Sequence, residues 1–160
     1  MKRNMKQWVW DYINSPAKKA TPILSFPGIQ IIGRTVEELV KDGHLQAECM
    51  NAVADRFDTG AAFSLMDLSV EAEAFGSAIL YSKDDVPTLH EALIQDEEAA
   101  EALQVPEVGA GRTGECVKGM EEAAKRITDR PVFAGIIGPY SLAGRLLDMT
   151  EIMVLCYEEP

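Results

Sequence analysis

A chain of 160 residues is long enough for one ordinary core, and 47% hydrophobic with 26% charged residues is a globular composition. Fifteen basic against twenty-six acidic side chains leave a formal net charge of −11, which repels nucleic-acid backbones and anionic membrane surfaces and excludes both as expected partners. There is no apolar run of the roughly eighteen residues a membrane helix needs, and MKRNMKQWVWDY lacks the apolar stretch and cleavage site of a secretory leader. The expected location is cytoplasmic.

Residues 1–20 read as an N-terminal helix and lead-in, and residues 21–160 as one α/β unit. Met5, Val9, Tyr12 and Ile13 fall on one helical face with Trp8 beside them, until NSPAKKATP breaks the pattern. Ile23 to Phe26, closed by Pro27-Gly28, suits a short buried strand. Thr35-Val-Glu-Glu38 has the capping-box form and starts a helix. Asp42-Gly43 interrupts it, and Leu45, Cys49, Val53 and Phe57 then repeat along a second helix. From Gly60 the run AAFSLM predicts a strand buried on both faces and ending at Asp67.

The segment from Tyr81 to Glu101 is acidic and polar, as expected of turns and short solvent-facing helices. Thr113 is placed to cap a helix carrying Val117, Met120, Ala124 and Ile127, which ends at Asp129-Arg-Pro131. A strand from Val132 to Ile137 follows, stopped by Gly138-Pro139. Ser141 and Thr150 are then expected to cap two short helices. Apolar strands separated by helices predict parallel β-α-β units. With about three such strands, the fold class is α/β, the N-terminal part of a (β/α)8 barrel truncated at its C-terminus, since a full barrel takes about 250 residues.

The stretch GAGRTG, residues 109–114, spells the G-x-G-x-x-G of dinucleotide sites, but its context does not support one. EALQVPEV is no strand, and Asp129, the acid about twenty residues on, precedes its strand instead of ending it. A loop leading into a helix is expected there. No metal site is predicted: His90-Glu91 lacks the second histidine of H-E-x-x-H, and His44 and His90 read as surface or capping residues. Cys49, Cys116 and Cys156 read as reduced, buried thiols. Asp67 stands out because it ends a buried strand, where α/β folds place their ligands. It would either meet a ligand or cap the turn SVEAEAFG. Pro139-Tyr140-Ser141 occupies the matching place after the last strand.

At MDLSVEAEAFG and GPYSLAGRLL the sequence resembles the uroporphyrinogen decarboxylase superfamily, and most specifically its corrinoid-linked branch, the methylcobamide:coenzyme M methyltransferases. The resemblance runs from about Pro22 to the C-terminus and implies the N-terminal half of a (β/α)8 barrel. It implies that Asp67 occupies the place of the aspartate that, in the decarboxylases, holds the substrate's pyrrole nitrogens. The arginine-rich motif M-R-Q-A-G-R of the decarboxylases is replaced by SFPGIQIIGR, where only Gly28 and Arg34 match, and their third-strand tyrosine is Arg145. Asp67, Tyr140, Arg145 and Gly28 are therefore the expected pocket residues, with no catalytic residue assigned. The methyltransferase resemblance further implies zinc bound in the missing C-terminal half, methylcobamide as donor, and a corrinoid protein and a thiol as partners. Gly111-Arg112 matches the family's Gly-Arg pair before the helix leading to the third strand. Alone the chain is expected to be inactive, and to form a homodimer or a complex with a C-terminal half. A decarboxylase-like lyase and a non-catalytic corrinoid-protein docking fragment stand as alternatives.

Overall fold

The computed structural model describes residues 3–158. Helix α1 (Met5–Asn14) starts on Asn4, whose side chain accepts from the Gln7 amide. Trp8 packs on Tyr12 with ring centroids 5.0 Å apart and on Phe133 at 5.7 Å, and Phe133 stacks on Phe63 at 5.3 Å. The lead-in is thus pinned to the sheet by aromatic rings. Along its other side Val9, Trp10 and Ile13 face solvent.

The expected first strand, Ile23–Phe26, is corrected: helix α2 spans Ser25–Ile32. The chain before it does run beside the sheet, since the Gly60 amide donates to Ala20 O at 2.9 Å and Ser25 Oγ to Ser64 O at 3.0 Å. No ladder forms. Pro22 has no N–H to offer one, and Pro27 suits the first turn of a helix, where its missing N–H is not needed. Gly33, at φ +65, ends α2 in the left-handed conformation.

Helix α3 (Val36–Lys41) carries the full capping box, Thr35 to Glu38 and back. Asp42 ends it and caps α4 (Gly43–Arg56) by accepting from the His44 and Leu45 amides, so the predicted break is a change of helix. Strand β1 (Ala62–Phe63) pairs in parallel with a later strand, Val132–Phe133. Between them lie α5 (Val70–Ala74), the antiparallel hairpin β2 (Ile79–Leu80) and β3 (Thr88–Leu89), α6 (Glu97–Glu101) and α7 (Arg112–Arg126). Val132–Phe133 is accordingly β4, and α8 (Pro139–Leu146) and α9 (Met149–Glu158) complete the described chain.

Among the described residues two parallel strands are formed where about three were expected, and both are shorter than their apolar runs. The ladder closes with Ser64 N on Phe133 O at 2.9 Å, before Leu65 and Met66. The acidic segment after Tyr81 conceals β3, which pairs back on β2 just before Tyr81 to make a hairpin. Thr113, Ser141 and Thr150 are not the caps: Gly111 precedes α7, Gly138 precedes α8 with Pro139 opening it, and Asp148 accepts from the Thr150 and Glu151 amides. Thr113 instead donates its hydroxyl to Ala110 O at 2.5 Å.

One core lies between α4, α7 and β1, made of Ala47, Met50, Ala54, Ala62, Ala123 and Ile127. Small residues allow close approach there. A Cβ on Gly43 would meet Glu115 O at 2.3 Å, and one on Gly119 would meet Gly43 O at 2.9 Å. A second core gathers Val36, Leu39, Val40, Cys49 and Leu65, with α2 packed against it through Phe26, Ile29 and Ile32. Of the three thiols expected to be buried, Cys49 is buried, Cys116 half-buried and Cys156 exposed, because no residue of α9 is buried.

Candidate functional site

Beyond β1 the chain turns outward and carries Asp67 to the point where the two parallel strands end. Oδ1 of Asp67 accepts from the Ser69 amide at 2.9 Å and from the Ser69 hydroxyl at 2.6 Å, which fixes the turn into α5. Oδ2 accepts from Arg112 Nη1 at 2.5 Å. The same guanidinium donates through Nη2 to Ser69 Oγ at 2.9 Å and through Nε to Glu73. Both Asp67 and Arg112 are nearly sealed from solvent, with side chains 1% and 6% exposed. The capping role foreseen for Asp67 is thus present, and so is an ion pair that spans 45 residues of sequence.

A buried cation is tolerable here because each nitrogen of the guanidinium meets an oxygen. Burial works against the charge on Arg112, but the Asp67 and Glu73 carboxylates outweigh it and hold its pKa above the ordinary value. Tyr81 closes the outer side: its hydroxyl donates to Glu73 Oε1 at 2.7 Å, and the Arg112 guanidinium lies 5.2 Å from its ring centroid. Burial, helped by that bond to Glu73, pushes the Tyr81 hydroxyl up to about 12. Lys41 covers the ring at 3.8 Å. The cluster has one arginine between two carboxylates, so the cation is already neutralised by protein.

Gly-rich GAGRTG delivers Arg112 to this place. Gly109 and Gly111 stand at φ +89 and +55, and a Cβ on Gly114 would lie 2.8 Å from Gly109 O. All three glycines are therefore required by the turn itself. Sequence reasoning had matched Gly111-Arg112 to a family pair but had not found its carboxylate partners. No local signal joins residues 67, 73 and 112.

A cavity of about 290 Å³ opens beside Asp67, between α7 and the ends of β1 and β4. Its walls are mainly apolar, from Leu65, Val70, Met120 and Ile137, with Gln46 and Cys116 among them. Burial pushes the Cys116 thiol up to about 11, opposed by Arg112 and the Gln46 amide and reinforced by Asp67 and Glu71. The other expected pocket residues lie elsewhere. Arg145 lines a separate cavity of about 500 Å³ with His90, Ser141 and Asp148, and only Leu68 is common to both. Tyr140 sits in the first turn of α8, 46% exposed, and lines neither. Gly28 is buried in α2, where a Cβ would meet Cys49 Sγ and Val53 at 2.7 Å, so its role is the packing of α2 on α4. Among the described residues, no three His, Cys, Asp or Glu side chains converge as metal ligands. His44 instead pairs its Nδ1 with Glu122 at 2.6 Å on the surface.

The family model for uroporphyrinogen decarboxylase (URO-D) matches residues 16–160. The chain belongs to that family. Its structure is similar to a methyltransferase from Methanosarcina mazei, with a TM-score of 0.79 at 18% identity, the match covering 99% of this chain and 49% of that one. At that identity the likeness establishes the fold, an α/β architecture equivalent to part of a (β/α)8 barrel. The chain spans about half the length of the solved structure it matches. No curated sequence matches it significantly.

Proposed function

We propose that the chain is the N-terminal half of a barrel that transfers a methyl group from a methylcobamide to a thiol. Asp67, held in place by Arg112, would stand on the wall of the pocket at the strand ends, and Arg145 on the wall of the neighbouring cavity, which shares Leu68 with it. The observation that carries this reading is a carboxylate locked at the carboxyl end of a parallel strand in a chain of this family, the position at which barrels bind their ligands. The resemblance of MDLSVEAEAFG to the corrinoid-linked branch supports the choice of chemistry.

Zinc in such a system would hold the accepting thiol as thiolate. The residues present here do not form its site, so no step of the reaction is routed through them; the ligands would belong to the rest of the barrel. What this chain would do is shape and dry one side of the pocket and present Arg145, which makes no ion pair among the described residues, to an anionic group. The proposed partners are a corrinoid protein, a thiol, and either a second copy or a separate C-terminal half, in a cytoplasmic setting. Among the described residues no helix is long and apolar enough to cross a membrane.

The test is a visible-absorbance titration with methylcobalamin, followed by gel filtration with a purified methylated corrinoid protein. Saturable binding of methylcobalamin is expected, weakened about tenfold, ~1.4 kcal/mol, by Arg145→Ala. Arg145 is half-buried on a helix, so circular dichroism should be unchanged in that variant. Binding of the corrinoid protein with no response to Arg145→Ala or Asp67→Asn would favour a docking fragment. Conversion of uroporphyrinogen would favour a decarboxylase-like lyase.

A further inference from the structure

Helices α1 and α9, both ten residues long, each leave an apolar stripe open to solvent. On α1 the packed face carries Trp8 and Tyr12, and beside it Lys6, Val9, Trp10 and Ile13 follow one another at spacings of three and four. Val9, Trp10 and Ile13 are 44%, 66% and 64% exposed. On α9, Met149 and Ile152 lean on α8 at Gly144, and the opposite face carries Glu151, Val154, Leu155 and Glu158 at the same spacings. Val154 and Leu155 are exposed. A helix that is apolar on nearly every side is normally a covered one.

The two stripes match in charge as well as in pattern. Residues 1–20 hold five of the fifteen basic residues and only one of the twenty-six acidic ones, whereas residues 146–160 hold four acidic residues and no lysine or arginine. On α1 the stripe is bracketed by two cations: Lys6 at its start, and Lys18, whose ammonium donates to Tyr12 O and Ile13 O at its end. On α9 it is bracketed by two anions, Glu151 and Glu158. Seven residues of helix, ~10 Å, separate each pair of ends. None of these four side chains makes an ion pair among the described residues.

We propose that α1 of one copy docks antiparallel on α9 of a second copy, with Val9, Trp10 and Ile13 on Val154 and Leu155, Lys6 facing Glu158 and Lys18 facing Glu151. Opposed helix dipoles favour the antiparallel sense. Two copies make the contact twice about a twofold axis, which closes the assembly and covers both stripes of each chain. Contacts of this size are weak, so pairing is expected only above about 10 µM, and the dilute chain leaves both helices open. The pairing rests on the methyl-transfer reading only for the choice of a second copy among its partners. It needs neither methylcobalamin nor a thiol, so a chain that pairs without binding methylcobalamin would refute that reading alone, and a monomer that binds it would refute this one alone.

Sedimentation equilibrium of the full chain across that concentration should show monomer passing to dimer. Trp10→Ser and Leu155→Ser, both at exposed positions, should each weaken the dimer at least tenfold with circular dichroism unchanged. Lys6→Glu and Glu158→Lys should each weaken it too, and both are compatible with folding because they place an acid in the first turn of α1 and a base in the last turn of α9. An equimolar mixture of these two variants should pair as tightly as the parent chain, since both contacts in the mixed dimer join unlike charges. A chain that stays monomeric would overturn the proposal and leave the two stripes to another partner, such as a separate C-terminal half. So would a dimer that ignores Trp10→Ser and both charge reversals, or a mixture that fails to pair.

Discussion

The α4–α7 layer and the α8–α9 segment meet opposite ends. Between α4 and α7 the residues are small, Ala47 and Ala123 are wholly buried, and glycine faces glycine at Gly43 and Gly119. In α9 the side chains are large and apolar, yet none is buried, and Met153, Leu155 and Tyr157 lie open. Burial here follows the shape of the opposing surface more than the hydrophobicity of the helix. Small residues let two backbones meet, so a whole layer excludes water, whereas α9 rests on α8 along one line, with Gly144 against Met149 and Ile152.

The sharpest way to break this contrast is at the cluster that ties the closed region to the strand ends. Arg112→Met should cost about 3–5 kcal/mol in urea unfolding, because it leaves Asp67 buried and without its cation. A loss under 1 kcal/mol would mean that Asp67 is solvated, not sealed. Next, Gly119→Val should cost about 1–3 kcal/mol by forcing α7 off Gly43 and Gln46. An unchanged midpoint would show that the helices do not meet as closely as described.

The thiols report the same contrast chemically. At pH 8 Cys156 should react quickly with an aromatic disulfide reagent, while Cys49 and Cys116 stay protected until the chain opens. Burial raises both protected thiols from the usual 9 to about 11, so between those values the folded chain holds protons that the unfolded chain has lost. Their stabilising contribution is complete below about pH 9 and disappears as pH rises through 11. Stability that held constant over that window, with the tyrosines accounted for, would contradict the burial. The smallest effect is expected at the open end: Tyr157→Ser should change stability by no more than about 0.5 kcal/mol. A larger loss would reveal that α9 is covered in solution, most simply by a second copy.

Features that depend on neighbours in sequence were legible, and those that depend on distant partners were not. The Thr35–Glu38 box and the Asp42 break are local chemistry, and both helix starts stand where their residues place them. The apolar runs at Ala61–Met66 and Val132–Ile137 located the strands but overstated them, since apolar residues mark a position and only a partner makes a ladder. At Ile23–Phe26 the composition suited a strand, but Pro22 and Pro27 flank the segment and the chain enters helix α2 at Ser25 instead. Asp67 was visible as the end of an apolar run. Its engagement with Arg112 was hidden because the glycines that turn Arg112 inward mark only a loop before a helix, and nothing local joins that loop to a carboxylate 45 residues away. Tyr140 and Arg145 were grouped with Asp67 by the family motif, and the structure places Arg145 in a second cavity beside His90.

The N-terminal helix bears on how all of this can be watched. Its two tryptophans are near in sequence but not in environment: Trp8 is packed between Tyr12 and Phe133, while Trp10 is 66% exposed. They are the only two in the chain. Fluorescence should therefore contain one component that quenchers reach freely and one shielded by the sheet. Detachment of the helix would merge them, giving an optical reading of the lead-in that needs no label.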